Sequence, residues 1–195
     1  AIMMGWIGTV ELATHGIAIQ IASMAFMIYL GLSNVATIRT GRALGRGDHA
    51  GIWHAAITVT VLQLAVALVM MVLFLSFPGW LIGLFLDLSQ PKSADIIAFG
   101  SILLIAAAAF QIVDGLQVVA LSALRGIKDT RVPMFCAVFS YWVVGMPAAY
   151  VLAFVYGFGG IGVWSGLVIG LALAAATLIW RWFYLMGRME PQASG

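Results

Sequence analysis

The sequence predicts an all-α transmembrane protein, with five full spans preceded by the end of an incomplete helix. Three observations predict it. Of the 195 residues, 64% are hydrophobic and 8% are charged, and mean hydropathy is +1.11. Soluble domains carry about 25% charged residues, so this chain has too few to cover a surface facing water. Its apolar residues fall into runs of about 20 or more, the length that crosses a hydrocarbon layer about 30 Å thick. The basic residues collect between alternate runs.

Taken in order, residues 1–10 (AIMMGWIGTV) are too short to span and read as the tail of a helix. The opening has neither an initiator Met nor a basic region before an apolar one, so it reads as part of something longer rather than as a signal peptide. Gly8-Thr9 breaks the pattern; Thr9 is expected to cap the next helix, with Glu11 in its first turn, where the helix dipole favours an acid. The remainder, 11–187, forms one helical unit, followed by a tail at 188–195. The first full span runs over about 12–38, with GRALGRGD as the loop after it. A second covers about 51–77 and stops at Phe77-Pro78-Gly79. Residues 78–93 are the longest connection, with a short interfacial helix at Trp80–Phe85. The third span covers about 95–124. The fourth covers about 132–156, starting at the Pro133 turn and kinked by Pro147. Gly157–Gly160 is a tight turn, and the fifth span covers about 161–184.

Lys and Arg set the orientation. Arg39, Arg42 and Arg46 lie in one loop, Arg125, Lys128 and Arg131 in another, and Arg181 and Arg188 near the C-terminal end; only Lys92 falls on the other side. The bias puts the C-terminus in the cytoplasm of a cell (plasma or inner) membrane, surrounded by membrane lipids. The net charge of +2 adds little, and the single cysteine, Cys136, cannot form an intrachain disulfide. Nothing points to nucleic acid. HExxH, CxxC and the phosphate-binding GxxxxGK[ST] pattern are all missing, so the expected role is not enzymatic.

Asp114 organises the chain. It lies eleven residues before Arg125, roughly 16 Å along a helix, near the middle of the hydrocarbon layer. A charge there costs roughly 2.5–3.5 kcal/mol on insertion scales, and such residues face a protein interior or a wet cavity. The functional reading is an ion-binding or proton-carrying carboxylate in a transport pathway; the structural one is pairing with a neighbouring helix. Gln111 and Gln117, at −3 and +3, share a broad face with it and are expected to line the same cavity. His15 reads as interfacial, as do His49 and His54, and Asp129 as the partner of Lys128 or Arg131 or as a cap for the next helix. Tyr141, Trp142, Tyr150, Tyr156 and Trp164 are either core packing, the favoured reading, or a face for flat or cationic molecules. Gly162, Gly166 and Gly170 form a smooth ridge for close helix approach, and Ala106–Ala109 a similar one beside Asp114.

Five segments resemble the C-terminal half of a multidrug and toxic compound extrusion (MATE) transporter of the NorM type. They are LATHGIAIQIAS (12–23), TIRTGRALGRGD (37–48), FQIVDGLQ (110–117), LRGIKDTRVP (124–133), and YWVVGMPAAY (141–150) with GIGVWSGL (160–167). The resemblance implies one six-helix lobe of a twelve-helix fold whose two lobes flank a central cavity. It implies a cation-coupled antiporter, exporting drugs and organic cations against Na⁺ or H⁺, without other cofactors or metals. Asp114 matches the coupling-ion carboxylate; Phe110, Gln111, Gln117 and Tyr141 would line the cavity. Some relatives have Tyr where Phe110 stands. The acid that NorM-type members use early in the seventh helix has no counterpart here, and Glu11 lies beyond that point. The missing N-terminal lobe would be the chief partner. The rival readings are a flippase for lipid-linked oligosaccharides, disfavoured because the spans hold no cations, and a non-transporting membrane subunit.

Overall fold

The computed structural model describes residues 1–86 and 93–189, and all the regular structure among them is helical. The helices are α1 (Ile2–Ile7), α2 (Thr9–Gly45), α3 (His49–Ser76), α4 (Pro78–Gly83), α5 (Ser93–Gly126), α6 (Arg131–Val155) and α7 (Gly159–Met189). Five of them, α2, α3, α5, α6 and α7, are long and apolar enough to cross a membrane. Lys92 and the tail beyond 189 lie outside the described residues.

Several boundaries differ from the sequence reading, each for a local reason. The cap of α2 is Gly8, in extended backbone without a side-chain bond, and Thr9 is already helical; Glu11 does sit in the first turn. GRALG is helix rather than loop, because Ala43 and Leu44 are good helix formers whose side chains pack with Ile52, Leu124 and Trp182. The stop comes at Gly47, which takes the left-handed conformation (φ 66°) that glycine adopts without penalty. Asp48 then caps α3, its carboxylate accepting the Gly51 N–H at 2.7 Å. Asp129 neither caps α6 nor pairs with its neighbours; its carboxylate accepts from Arg181 Nε at 2.8 Å, tying the α5–α6 turn to α7.

α5 lies at the centre, packed against α2, α3, α4 and α7, while α6 leans on α7. Close approach at the α2–α5 crossing depends on Gly126, where a Cβ would collide with the Thr40 side chain and lie 2.8 Å from the Thr37 carbonyl oxygen. The α6–α7 contact is built on the predicted ridge. A Cβ on Gly162 would lie 2.6 Å from the Ala153 nitrogen, one on Gly166 would run into the Ala149 backbone, and one on Gly170 would lie 2.9 Å from Gly145 Cα. Of the second ridge, Ala107 and Ala108 are buried, Ala106 is half-buried and Ala109 is exposed. Pro147 is accommodated between two π-helical stretches of α6, Phe139–Gly145 and Val151–Val155, whose wider turns absorb a residue that lacks an N–H and crowds the preceding turn.

The distribution of side chains suits lipid. Large apolar residues point outward, among them Met27, Val61, Val69, Phe135, Trp142 and Trp180. Polar and small ones point inward: Thr14, Ser33, Thr40, Gln63, Gln111, Asp114 and Ser140 are all buried. Several helix hydroxyls donate back along their own helix, Thr14 to Val10, Thr40 to Ala36 and Thr60 to Ala56, while Thr37 also donates to the Ser122 carbonyl of α5 at 3.0 Å.

Candidate functional site

Asp114 opens into a cleft of about 370 Å³ at the meeting of four helices. Ile19, Ala22, Ser23 and Phe26 come from α2, Phe110 and Asp114 from α5, Tyr141 from α6, and Trp164, Leu167 and Leu171 from α7. Asp114 is the only ionisable carboxylate among them, and none of the lining residues is a base. Among the described residues, no ion pair or hydrogen bond reaches its carboxylate. It is 7% exposed, held inward by the central position of α5. Tyr141 shares the cleft with it. A carboxylate without a partner, set among neutral oxygens and aromatic faces, is a place for a small cation or a proton.

Of the expected site residues, the fold brings Asp114, Phe110 and Tyr141 together in this cleft. Gln111 and Gln117 do not line it. At −3 and +3 they are turned about 60° to either flank of Asp114, and both are buried against neighbouring helices. The Gln111 amide donates to the Ala22 carbonyl of α2 at 3.3 Å, while its own oxygen has no partner.

His15 is likewise misplaced by the interfacial reading. It is 3% exposed, with its ring edge-on to Trp164 at 5.9 Å and 79°, so α7 covers it. Trp164 in turn meets Phe110 at 5.7 Å and 73°, and these two rings line the cleft together. Core packing describes Trp164, whereas Trp142, Tyr150 and Tyr156 are exposed rather than packed in the core. His49 and His54 are exposed at the start of α3. The sequence reading missed Tyr29 and Gln63, both fully buried with polar atoms left unpartnered. A second cleft of about 390 Å³, between α3, α5 and α7, is lined by apolar residues and Thr60 and holds no titratable group.

The fold and this cleft define a polytopic membrane protein with a carboxylate at bilayer depth. The MatE family model matches residues 1–151, and the chain belongs to that family. It is 50% identical, over its whole length, to a probable multidrug resistance protein NorM of Rhizobium meliloti (strain 1021), covering 42% of that protein. It is 41% identical to the multidrug resistance protein NorM of Burkholderia vietnamiensis, with 91% of the chain covering 38% of that protein. Among solved structures, a MATE protein in complex with MaL6 superposes with a TM-score of 0.86 at 20% identity, over 97% of this chain and 41% of that one. An outward-facing multidrug resistance MATE family transporter of the MOP superfamily gives 0.84 at 20% identity, over 97% and 41%. The chain thus spans about two-fifths of the length of the proteins it matches, and its fold is that of part of a MATE transporter.

Proposed function

We propose that this chain serves as the C-terminal lobe of a cation-coupled antiporter that exports drugs and organic cations from the cell, with its C-terminus in the cytoplasm. The observation that carries the reading is Asp114: a buried carboxylate without an ion pair among the described residues, opening into a cleft shared by four helices. Na⁺ or H⁺ would bind there when the cleft faces outward, and occupation would favour release of the organic cation. Phe110 and Tyr141 offer the cleft aromatic surface, which suits flat cationic molecules. The facing wall of the cavity would come from an N-terminal lobe, as the length of the relatives implies.

The test is Asp114→Asn in the native gene product that contains this chain. Coupled efflux of ethidium, a fluorescent organic cation, should be lost while membrane insertion and expression are unchanged. Wild-type efflux in that variant would remove Asp114 from the mechanism.

A further inference from the structure

We infer that the groove between α3, α5 and α7 is a binding site for a phospholipid with an anionic headgroup, its acyl chain in the apolar cleft and its phosphate at the basic end of the bundle. Two clefts make up the groove. The first, about 390 Å³, is walled by Ala56 and Val61 of α3, Leu116 and Ala123 of α5, and Ile179 and Trp182 of α7. The second, about 430 Å³, lies between His49 and Ala50 at the start of α3 and Met186, Gly187 and Met189 at the end of α7. Trp53 and Phe183 line both, their rings edge-on at 5.6 Å and 83°, so the clefts run into one another.

Length and polarity fit one leaflet of a bilayer. From His49 to Val61 the groove follows α3 for about 18 Å, and half of a hydrocarbon layer about 30 Å thick is about 15 Å. The inner stretch offers mainly apolar contact, since the Thr60 hydroxyl already donates to the Ala56 carbonyl at 2.8 Å. The character changes at His49. Every Lys and Arg of the chain except Lys92 lies toward this end, Arg188 among them, between the lining residues Gly187 and Met189. Among the described residues the acids of this end are Asp48 and Asp129, each already paired, with Arg46 and Arg181. Positive charge is therefore in surplus where the phosphate would sit, the setting in which basic pockets between membrane helices hold anionic headgroups.

The groove also lies on the far side of α5 from the transport cleft. Val119, Ala123, Leu116 and Ala120 are turned about 140–240° from Asp114 round the helix. A lobe that faces the Asp114 cleft leaves this side to the bilayer, and in that respect the inference rests on the proposed function. Ile57, Val61 and Phe183 of the lining are exposed, which gives a lipid its way in.

The test uses the native gene product purified in detergent, with bound lipid counted by native mass spectrometry after addition of phosphatidylglycerol or phosphatidylcholine. The wild type should retain phosphatidylglycerol at least about fivefold more tightly than phosphatidylcholine. Thr60→Trp, which fills the inner cleft, should lower phosphatidylglycerol retention at least about fivefold. Val69→Trp, exposed farther along α3, should leave it unchanged. His49→Gln combined with Arg188→Gln should erase the preference between the two lipids. Equal retention of both by the wild type overturns the inference, and so does an undiminished preference in the double variant. Displacement of the lipid by ethidium would assign the groove to organic cations instead and overturn it too. Wild-type retention in a folded Thr60→Trp protein overturns the groove as the site; should that variant fail to fold, Ile57→Trp in the exposed part of the lining decides in the same way. Asp114→Asn should lose efflux yet keep the lipid, so failure of the proposed function shows in efflux and failure of this inference in lipid retention.

Discussion

Replacing Gly166 with alanine tests the contact that brings α6, and with it Tyr141, up to the cleft wall formed by α7. A Cβ at 166 would run into the main chain of Ala149, and one turn earlier a Cβ at 162 would lie 2.6 Å from the Ala153 nitrogen. Ordinary contact between such atoms is about 3.5–4.0 Å, so the two helices must separate by roughly 1 Å. Overpacking costs about 1–3 kcal/mol. The upper end applies here, because main-chain atoms cannot rotate aside as a side chain would. Alanine regains about 1 kcal/mol of helix propensity over glycine. The net loss is about 2 kcal/mol, or roughly 4–8 °C in melting temperature for a unit of this size. The assay is a heating series on detergent-extracted protein, read as the folded fraction by size-exclusion chromatography. Gly31→Ala in α2 is the control, since nothing lies within 4 Å of a Cβ there; it should melt at or slightly above the wild type. A Gly166→Ala protein as stable as Gly31→Ala would refute the close-packed ridge.

Two further predictions concern the loops. Asp129 and Arg181 are 15% and 22% exposed, and charge-assisted bonds of this kind contribute about 1.5–3 kcal/mol. Arg181→Ala and Asp129→Asn should each lower stability by about 2 kcal/mol, and the double variant should lose little more than either; additive losses in the same heating series would show that the pair does not act as one. Asp48 behaves differently. The Gly51 N–H, opposed by partial burial and aided by Arg46, holds its carboxyl below the usual range. A depressed pKa contributes stability that is present above the unfolded value and lost as pH falls through the folded one, which here means below about pH 4. Between pH 6 and 8, Asp48→Asn should therefore leave the shape of the efflux–pH profile as it is in the wild type, and a changed midpoint would break the argument.

The features legible in the sequence are those that lipid dictates. Run length and the placement of Arg39, Arg42, Arg125 and Arg131 mark the turns, because a chain can expose neither charge nor unpaired backbone inside a bilayer. Asp114 stands out for the same reason. Helix ends were harder to read: the α2 extension through Arg42 to Gly45 is held by Ala43 packing against residues far away in sequence. The Asp129–Arg181 pair joins positions 52 apart, and nothing local distinguishes Arg181 from Lys128 as a partner.

The site shows most sharply where a single sequence stops. Spacing correctly put Gln111 and Gln117 on the same broad face as Asp114, yet a face 120° wide meets more than one neighbouring helix, and which residues reach the cleft depends on where α2 and α7 sit. In water, an apolar stripe would have identified the inward side; here both sides are apolar. Only polar and small residues carry that information. Gln63 is one such residue, and only the fold shows that its side chain lies against Gly115 of α5. His15 follows the same logic, since its place near the start of α2 reads as surface until Trp164, some 150 positions later, closes over it. In a protein of this kind, the polar residues that look incidental along the chain are therefore the ones whose three-dimensional partners define the site.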